Sequence, residues 1–315
     1  MRLATLRTPW GHRLALHRRG PEGEEWVDAA IGAALLLSDP DCPSTLQGLL
    51  EKEGCSLASM RRLSELLGSA RAPKELPAWR SSEAVFDPPV LAPGAFLDFY
   101  AFEEHVKTAR ARRGLEVPPE WYEAPVYYRS NARAFLGHRA AVEFPPGETM
   151  MDFELELAAV LGRPLQSPSP AEAQSAIAGY CLLNDWSARA VQRKVMAVGL
   201  GPNKGKDFAT SLGPWLVTPD ELGPPGDLVL QARVNGEPWC VSAFSKIRWG
   251  FGEMIAFAGE GVRFEPGDVF GSGTLGGGCG LELGRFLKDG DVVELDGGPA
   301  LGVLAGSVRQ KRSDP

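Results

Sequence analysis

No stretch of this sequence stays apolar long enough to cross a bilayer: the longest run, Ala29 to Leu37, falls far short of the roughly 18 residues a membrane helix needs. The N-terminus, MRLATLRTPWGHRLALHRRG, lacks the unbroken apolar core of a signal peptide. A cytoplasmic protein with no membrane partner is therefore expected. Cysteine is sparse, and the five residues Cys42, Cys55, Cys181, Cys240 and Cys279 are widely spaced with no C-x-x-C. Neither a disulfide framework nor a zinc ribbon is suggested, and reduced thiols fit best. Excess positive charge is also missing. With 33 Lys and Arg against 40 Asp and Glu, the formal net charge of -7 argues against a nucleic-acid partner, because phosphate binding needs clustered cations. Only four histidines are present, and His12, His17 and His138 lie in arginine-rich surroundings that read as surface. A histidine-rich transition-metal centre is thus not expected. The G-x-S-x-G motif of a serine hydrolase is absent, as is any internal repeat.

What is there is an ordinary globular composition, 44% hydrophobic and 23% charged. Residues 1–85 read as a small α+β N-terminal domain. Short alternating segments (Leu3 to Leu6, Leu14 to His17) precede two helical patterns, one opened by Thr45 before Leu46 to Lys52 and one carried by Leu57, Met60, Leu63 and Leu66. The proline-rich stretch from Arg71 to Gly94 reads as a linker. Residues 90–312 form the larger, β-rich domain, in which Asn235-Gly236 predicts a type I′ hairpin, Ala171 to Tyr180 a helix, and the region after Trp186 another.

Chemistry gathers around acids. In Asp152-Phe153-Glu154-Leu155-Glu156, strand geometry puts three carboxylates on one face. Either water screens that face or a cation lies within it. Asp185 ends an apolar strand in Leu182-Leu183-Asn184-Asp185-Trp186-Ser187-Ala188-Arg189, and Asp98 sits among aromatic residues in Phe96-Leu97-Asp98-Phe99-Tyr100. Asp98, Glu154, Glu156 and Asp185 together offer four oxygen ligands, a set suited to Mg²⁺ or Ca²⁺, with Mn²⁺ also admissible. His105, on a helical pattern just after Asp98, is a candidate general base. Glu282, flanked by leucines in a β-like run, is a candidate to orient it. The loop ending in Lys206 fails as a phosphate loop, since Gly201 to Gly205 has three intervening residues and Asp207 follows the lysine. Lys206 instead reads either as a counter-charge for the acids that stabilises a developing oxyanion or as a surface lysine. Gly271-Ser272-Gly273-Thr274-Leu275-Gly276 formally fits G-x-G-x-x-G, but no helix pattern follows, so it reads as a flexible or substrate-facing loop.

These blocks resemble the fumarylacetoacetate hydrolase superfamily. The resemblance rests on Asp98-Phe99-Tyr100 with His105, on Asp152-Phe153-Glu154-Leu155-Glu156, on Asn184-Asp185-Trp186-Ser187-Ala188-Arg189 with Gln192, on Gly205-Lys206-Asp207-Phe208-Ala209-Thr210, and on Gly271-Ser272-Gly273-Thr274, in order along residues 95–305. It implies an α+β fold whose catalytic domain is a mixed β-roll, often a homodimer, with a divalent cation on Asp98, Glu154, Glu156 and Asp185. It further implies that Lys206 and Thr210 lie beside the metal, that Tyr100, Tyr128, Arg189, Gln192 and Thr274 contact substrate, and that His105 and Glu282 activate water. The implied reaction is hydrolytic carbon–carbon cleavage of a small-molecule 1,3-dicarbonyl or 2-oxo acid. Isomerisation or hydration of a 2-oxo-dienoate, decarboxylation of a β-keto acid, and a non-catalytic binding role are the alternatives. Two departures stand out: Met196 replaces a tyrosine of the hydrolase, and the loop before Lys206 is one residue longer. Which of Arg110, Arg112 and Arg113 meets a substrate carboxylate is left open.

Overall fold

Alternation sets the architecture. In Leu155–Leu161 the side chains of Leu155, Leu157, Ala159 and Leu161 enter one hydrophobic core, while Ala158 and Val160 enter another, as period-two geometry requires of a strand buried on both faces. The computed structural model, which describes residues 1–20, 23–69 and 76–311, places this strand within a twelve-stranded sheet. In spatial order its main path runs Ala78–Arg80, Gly23–Asp28, Gly11–Gly20, Arg2–Thr8, Thr210–Val217, Ile177–Asp185, Leu155–Leu161, Val269–Gly271, Phe96–Phe99 and Tyr127–Arg129. Pairing is antiparallel except between Val269–Gly271 and Phe96–Phe99 and between Thr210–Val217 and Phe135–Leu136.

A five-stranded sheet covers one face. Its Leu230, Val293, Leu304 and Val308 share a core with Leu155, Leu157, Leu182 and Trp186. The helices Leu46–Glu53 and Ala58–Leu67 cover the other, where Leu46, Leu49, Met60 and Leu63 share a core with Ala158, Val160, Cys181 and Leu183. The fold is thus strand-rich mixed α+β. Among the described residues no helix is long and apolar enough to cross a membrane.

Local signals hold where side chains decide the backbone. Thr45 caps its helix by accepting from the Gly48 N–H at 3.2 Å, and Asn235 and Gly236 turn the hairpin with φ of 52° and 79°. Three expectations need correction. Of the stretch read as a linker, residues 71–75 lie outside those described, but Ala78–Arg80 pairs with Gly23–Asp28 and Phe86–Asp87 pairs with Arg2–Thr8. Ala171 to Tyr180 is not one helix: it ends at Ser175, and Tyr180 lies in Ile177–Asp185. That strand is buried along its whole length, so it shows no alternation and resembles a buried helix in sequence. Finally, His17 and His138 are half-buried, with His17 edge-on to Trp26. Arg2–Thr8 also pairs directly with Thr210–Val217, so residues from the segments read as two domains share one sheet.

His138 has a consequence for stability. Its Nδ1 accepts from the Ala305 N–H at 3.2 Å. Burial, helped by Arg139, lowers its pKa from the ordinary 6.5 to about 4. The unfolded chain takes up this proton first as pH falls, so the contribution of neutral His138 is complete above pH 6.5 and is lost on approach to pH 4. The urea midpoint is expected to fall across that window, and less steeply in His138→Gln.

Candidate active site

Trp186 anchors the strand end that builds the site. It is fully buried between the sheets and its Nε1 donates to Ser211 Oγ at 2.8 Å. This fixes Asp185 as the last residue of Ile177–Asp185 and starts the helix Arg189–Met196 just beyond. Glu148 seats that helix, accepting from the N–H groups of Ala190 and Val191, each at 3.2 Å. Register brings Asp98 opposite Gly271 and Tyr128, and Asp185 opposite Thr210.

A screened surface strand is not what Asp152 to Glu156 forms. Asp152, Glu154 and Glu156 are 0%, 5% and 0% exposed, and the chain breaks from regular strand at Phe153 and Glu154. Asp98, Glu156 and Asp185 each bring an oxygen to within 4.8 Å of the others. Gly271 makes this approach possible: a Cβ there would lie 2.3 Å from Asp98 Oδ1 and 3.2 Å from Glu156 Oε2. Glu154 is held differently, at 2.7 Å from Arg189 Nη2 and in an ion pair with Lys206, which also pairs with Asp185.

Five buried acids, Asp98, Asp152, Glu154, Glu156 and Asp185, face two buried cations, Arg189 and Lys206. Burial pushes the Asp98, Glu156 and Asp185 carboxyls above their ordinary range, and for Glu156 the neighbouring carboxylates add to the rise. Burial would also raise Glu154, but the charges of Lys206 and Arg189 outweigh it and hold that group low. Among the described residues Asp98 Oδ1, Asp185 Oδ1 and Thr210 Oγ1 have no hydrogen-bond partner. More buried carboxyl groups than cations to pair them, together with orphaned oxygens, fit a hard divalent cation that would replace the protons.

Beside the acids lies a pair suited to proton transfer. His105, in the first turn of Glu103–Ala111, places Nδ1 2.7 Å from Glu282 Oε1. Glu282 Oε2 accepts from the Gly277 N–H at 3.0 Å, and Cys279 Sγ donates to Oε1 at 3.5 Å. With Nδ1–H given to the carboxylate, the Nε2 lone pair is left free. The β-like reading of Gly280–Leu283 is corrected here: it is one helical turn, because Asp152 accepts from the N–H groups of Gly280 and Leu281 at 2.7 and 2.9 Å.

His105, Asp98, Glu154, Lys206, Tyr100, Tyr128, Arg189, Gln192 and Thr274 all line one cavity of about 830 Å³, with Met196 in its wall. Several hydroxyls and cations in it already have protein partners. Tyr128 Oη lies 3.1 Å from Asp98 Oδ2 and 2.5 Å from Asp185 Oδ2, and Thr274 Oγ1 donates to Glu156 at 3.3 Å. Arg189 binds Asp152 at 2.8 Å and Gln192 Oε1 at 3.0 Å as well as Glu154. Tyr100, its hydroxyl pushed up to about 12 by burial, meets the His105 ring edge-on at 5.3 Å. Arg110, Arg112 and Arg113 each bond a backbone carbonyl and have no carboxylate partner among the described residues. Sequence reasoning missed Asp152 as a cap, Glu148 and Cys279. Only Asp152 carried a signal, its place in the alternating acids.

Residues 95–309 match the model of the fumarylacetoacetate (FAA) hydrolase C-terminal domain. The 2,4-didehydro-3-deoxy-L-rhamnonate hydrolase of Sphingomonas sp. (strain SKA58) is 33% identical over 196 residues, 62% of this chain and 66% of that relative. So the chain spans slightly under two thirds of that protein's length. The mitochondrial oxaloacetate tautomerase of Homo sapiens is 30% identical over 299 residues, 94% of this chain and 88% of its own length. The fold alone is shared with 2-hydroxyhepta-2,4-diene-1,7-dioate isomerase from Mycobacterium marinum, at 22% identity and a TM-score of 0.69 over 99% of each chain. Matched by the family model over residues 95–309 and, along 94% of its length, by a 30% identical relative, the chain belongs to the fumarylacetoacetate hydrolase family.

Proposed function

We propose that the protein is a divalent-cation-dependent hydrolase cleaving a carbon–carbon bond in a 1,3-dicarbonyl acid of the fumarylacetoacetate or acylpyruvate class. The observation that carries this reading is the buried His105–Glu282 pair, 2.7 Å apart, whose His105 lines the same cavity as Asp98 and Glu154. Asp98, Glu154, Glu156 and Asp185 would hold Mg²⁺ or Ca²⁺, with Lys206 and Thr210 beside it. Once bound, such an ion supplies Lewis acidity toward the 2-oxo acid oxygens.

The remaining work belongs to the protein. Glu282 fixes the His105 tautomer, and Nε2 takes a proton from water as its oxygen attacks the distal carbonyl carbon. The bond from that carbon to the methylene breaks, leaving a carboxylic acid and an enolate, and the enolate takes a proton to become the second keto-acid product. Lys206 offsets the negative charge that develops. Tyr100, Tyr128, Gln192 and Thr274 shape the cavity, Arg189 holds Glu154 in place, and the arginines at 110, 112 and 113 offer charge to a substrate carboxylate.

A second reading, isomerisation or tautomerisation of a 2-oxo acid without water attack, is favoured by the tautomerase relative matched along 94% of this chain. A panel of acylpyruvates, β-keto acids and oxaloacetate separates the two. Hydrolysis is expected as loss of the enol ultraviolet band with two product acids, stopped by chelator and restored by Mg²⁺. Enol–keto exchange with no bond broken would displace it.

A further inference from the structure

Cys279 is a buried thiol at the back of the His105–Glu282 pair. Its Sγ lies 3.9 Å from His105 Nδ1 and 3.5 Å from Glu282 Oε1, and those two atoms are 2.7 Å apart. An imidazole nitrogen, a thiol sulfur and a carboxylate oxygen therefore close a small triangle. Among the described residues no other cysteine joins such a cluster. A tetrahedral Zn²⁺, with nitrogen and oxygen at about 2.0 Å and sulfur at about 2.3 Å, spaces its ligands roughly 3.3–3.6 Å apart. His105 and Glu282 need part by only about half an ångström to meet that spacing.

The two clusters select different ions. Oxygen ligands alone suit Mg²⁺ or Ca²⁺, whereas a mixed nitrogen, sulfur and oxygen set suits zinc. We infer that Cys279, His105 and Glu282 form a second, soft-metal site, and that Zn²⁺ bound there inhibits the enzyme. Burial, reinforced by the neighbouring Asp152, keeps the thiol protonated in the metal-free protein. A dication reverses that preference by binding the thiolate, and the thiol proton leaves to solvent. With the ion on Nδ1, the imidazole proton must sit on Nε2. Inhibition rests on the proposed function, because a protonated Nε2 cannot take a proton from water. Binding does not rest on it.

Co²⁺ is the probe, added to the full-length protein with excess Mg²⁺ occupying the carboxylate site. A near-ultraviolet thiolate-to-Co²⁺ charge-transfer band is expected to saturate at one ion per chain and to vanish when Zn²⁺ is added. It is expected to persist in Cys55→Ser and Cys240→Ser, to require more Co²⁺ in His105→Ala, and to be absent in Cys279→Ser. No band in the parent protein overturns the site whether or not any variant folds, as does a band lost in Cys240→Ser instead. The spectrum is independent of turnover, so an inactive protein that shows the band would refute the hydrolase reading and leave the zinc site standing.

Discussion

Replacing His105 by alanine is expected to lower kcat for acylpyruvate hydrolysis by about 10²–10⁴-fold, the range general bases contribute. KM and Mg²⁺ binding are expected to stay near the parent values, because His105 bonds Glu282 and none of the clustered acids Asp98, Glu156 and Asp185. The fold should survive as well. His105 opens on the cavity, so its removal widens a space that water already reaches. Glu282→Gln should retain more activity than His105→Ala, since an amide oxygen can still orient Nδ1–H but lends no charge to the imidazolium. Steady-state kinetics on purified variants check the ordering. Parent-rate hydrolysis by His105→Ala would remove the base from the mechanism.

Loss of the cation is expected to be as damaging. Chelation should lower activity by roughly 10³-fold, several kcal/mol of Lewis-acid stabilisation, and Glu156→Gln should make that loss permanent. Thermal melting gives a readout free of turnover. At a hundredfold excess over Kd, Mg²⁺ should stabilise the parent by about 2.7 kcal/mol, a rise in Tm of roughly 5 °C, and Glu156→Gln by far less. The pH dependence of the metal-free protein follows from the same groups. The folded pKa values of Asp98, Glu156 and Asp185 lie above the ordinary 3.8 and 4.5. Below those values both states are protonated. As pH rises through them the unfolded chain ionises first while the folded one keeps its protons, so stability falls with rising pH. Glu156→Gln removes one such group, and the metal-free variant should fall less steeply. A parent protein whose Tm ignores Mg²⁺ would contradict the site.

The acids were legible because buried carboxylates without enough cations leave a trace in composition. Glu154 and Glu156 alternate with leucines, and Asp98 sits among aromatics, environments where charge must find a partner. What each acid does was less legible. Asp152 belongs to the same alternation, yet it caps the turn that carries Glu282 and binds Arg189. The capping depends on residues 128 and 129 positions away, and the ion pair on one 37 positions away. Glu154 shares the pattern too, but contacts with Arg189 and Lys206 distinguish it from Glu156. Local backbone signals such as Thr45 and Asn235-Gly236 survived folding because each acts within four residues. Ile177–Asp185 misled because burial on both faces erases periodicity, and the pairing of Phe86–Asp87 with Arg2–Thr8 is a long-range contact that proline content cannot announce.

Hydrolysis with acylpyruvate in ¹⁸O-labelled water, followed by mass spectrometry of both products, tests the central claim most directly. One solvent oxygen is expected in the carboxylic acid released from the distal carbonyl, none from this step in pyruvate beyond its slow keto exchange, and no labelled acid when Mg²⁺ is removed. Intact substrate showing only exchange of its methylene protons, or release of carbon dioxide in place of two acids, would contradict water attack through His105 and leave the same residues serving a tautomerase or a decarboxylase.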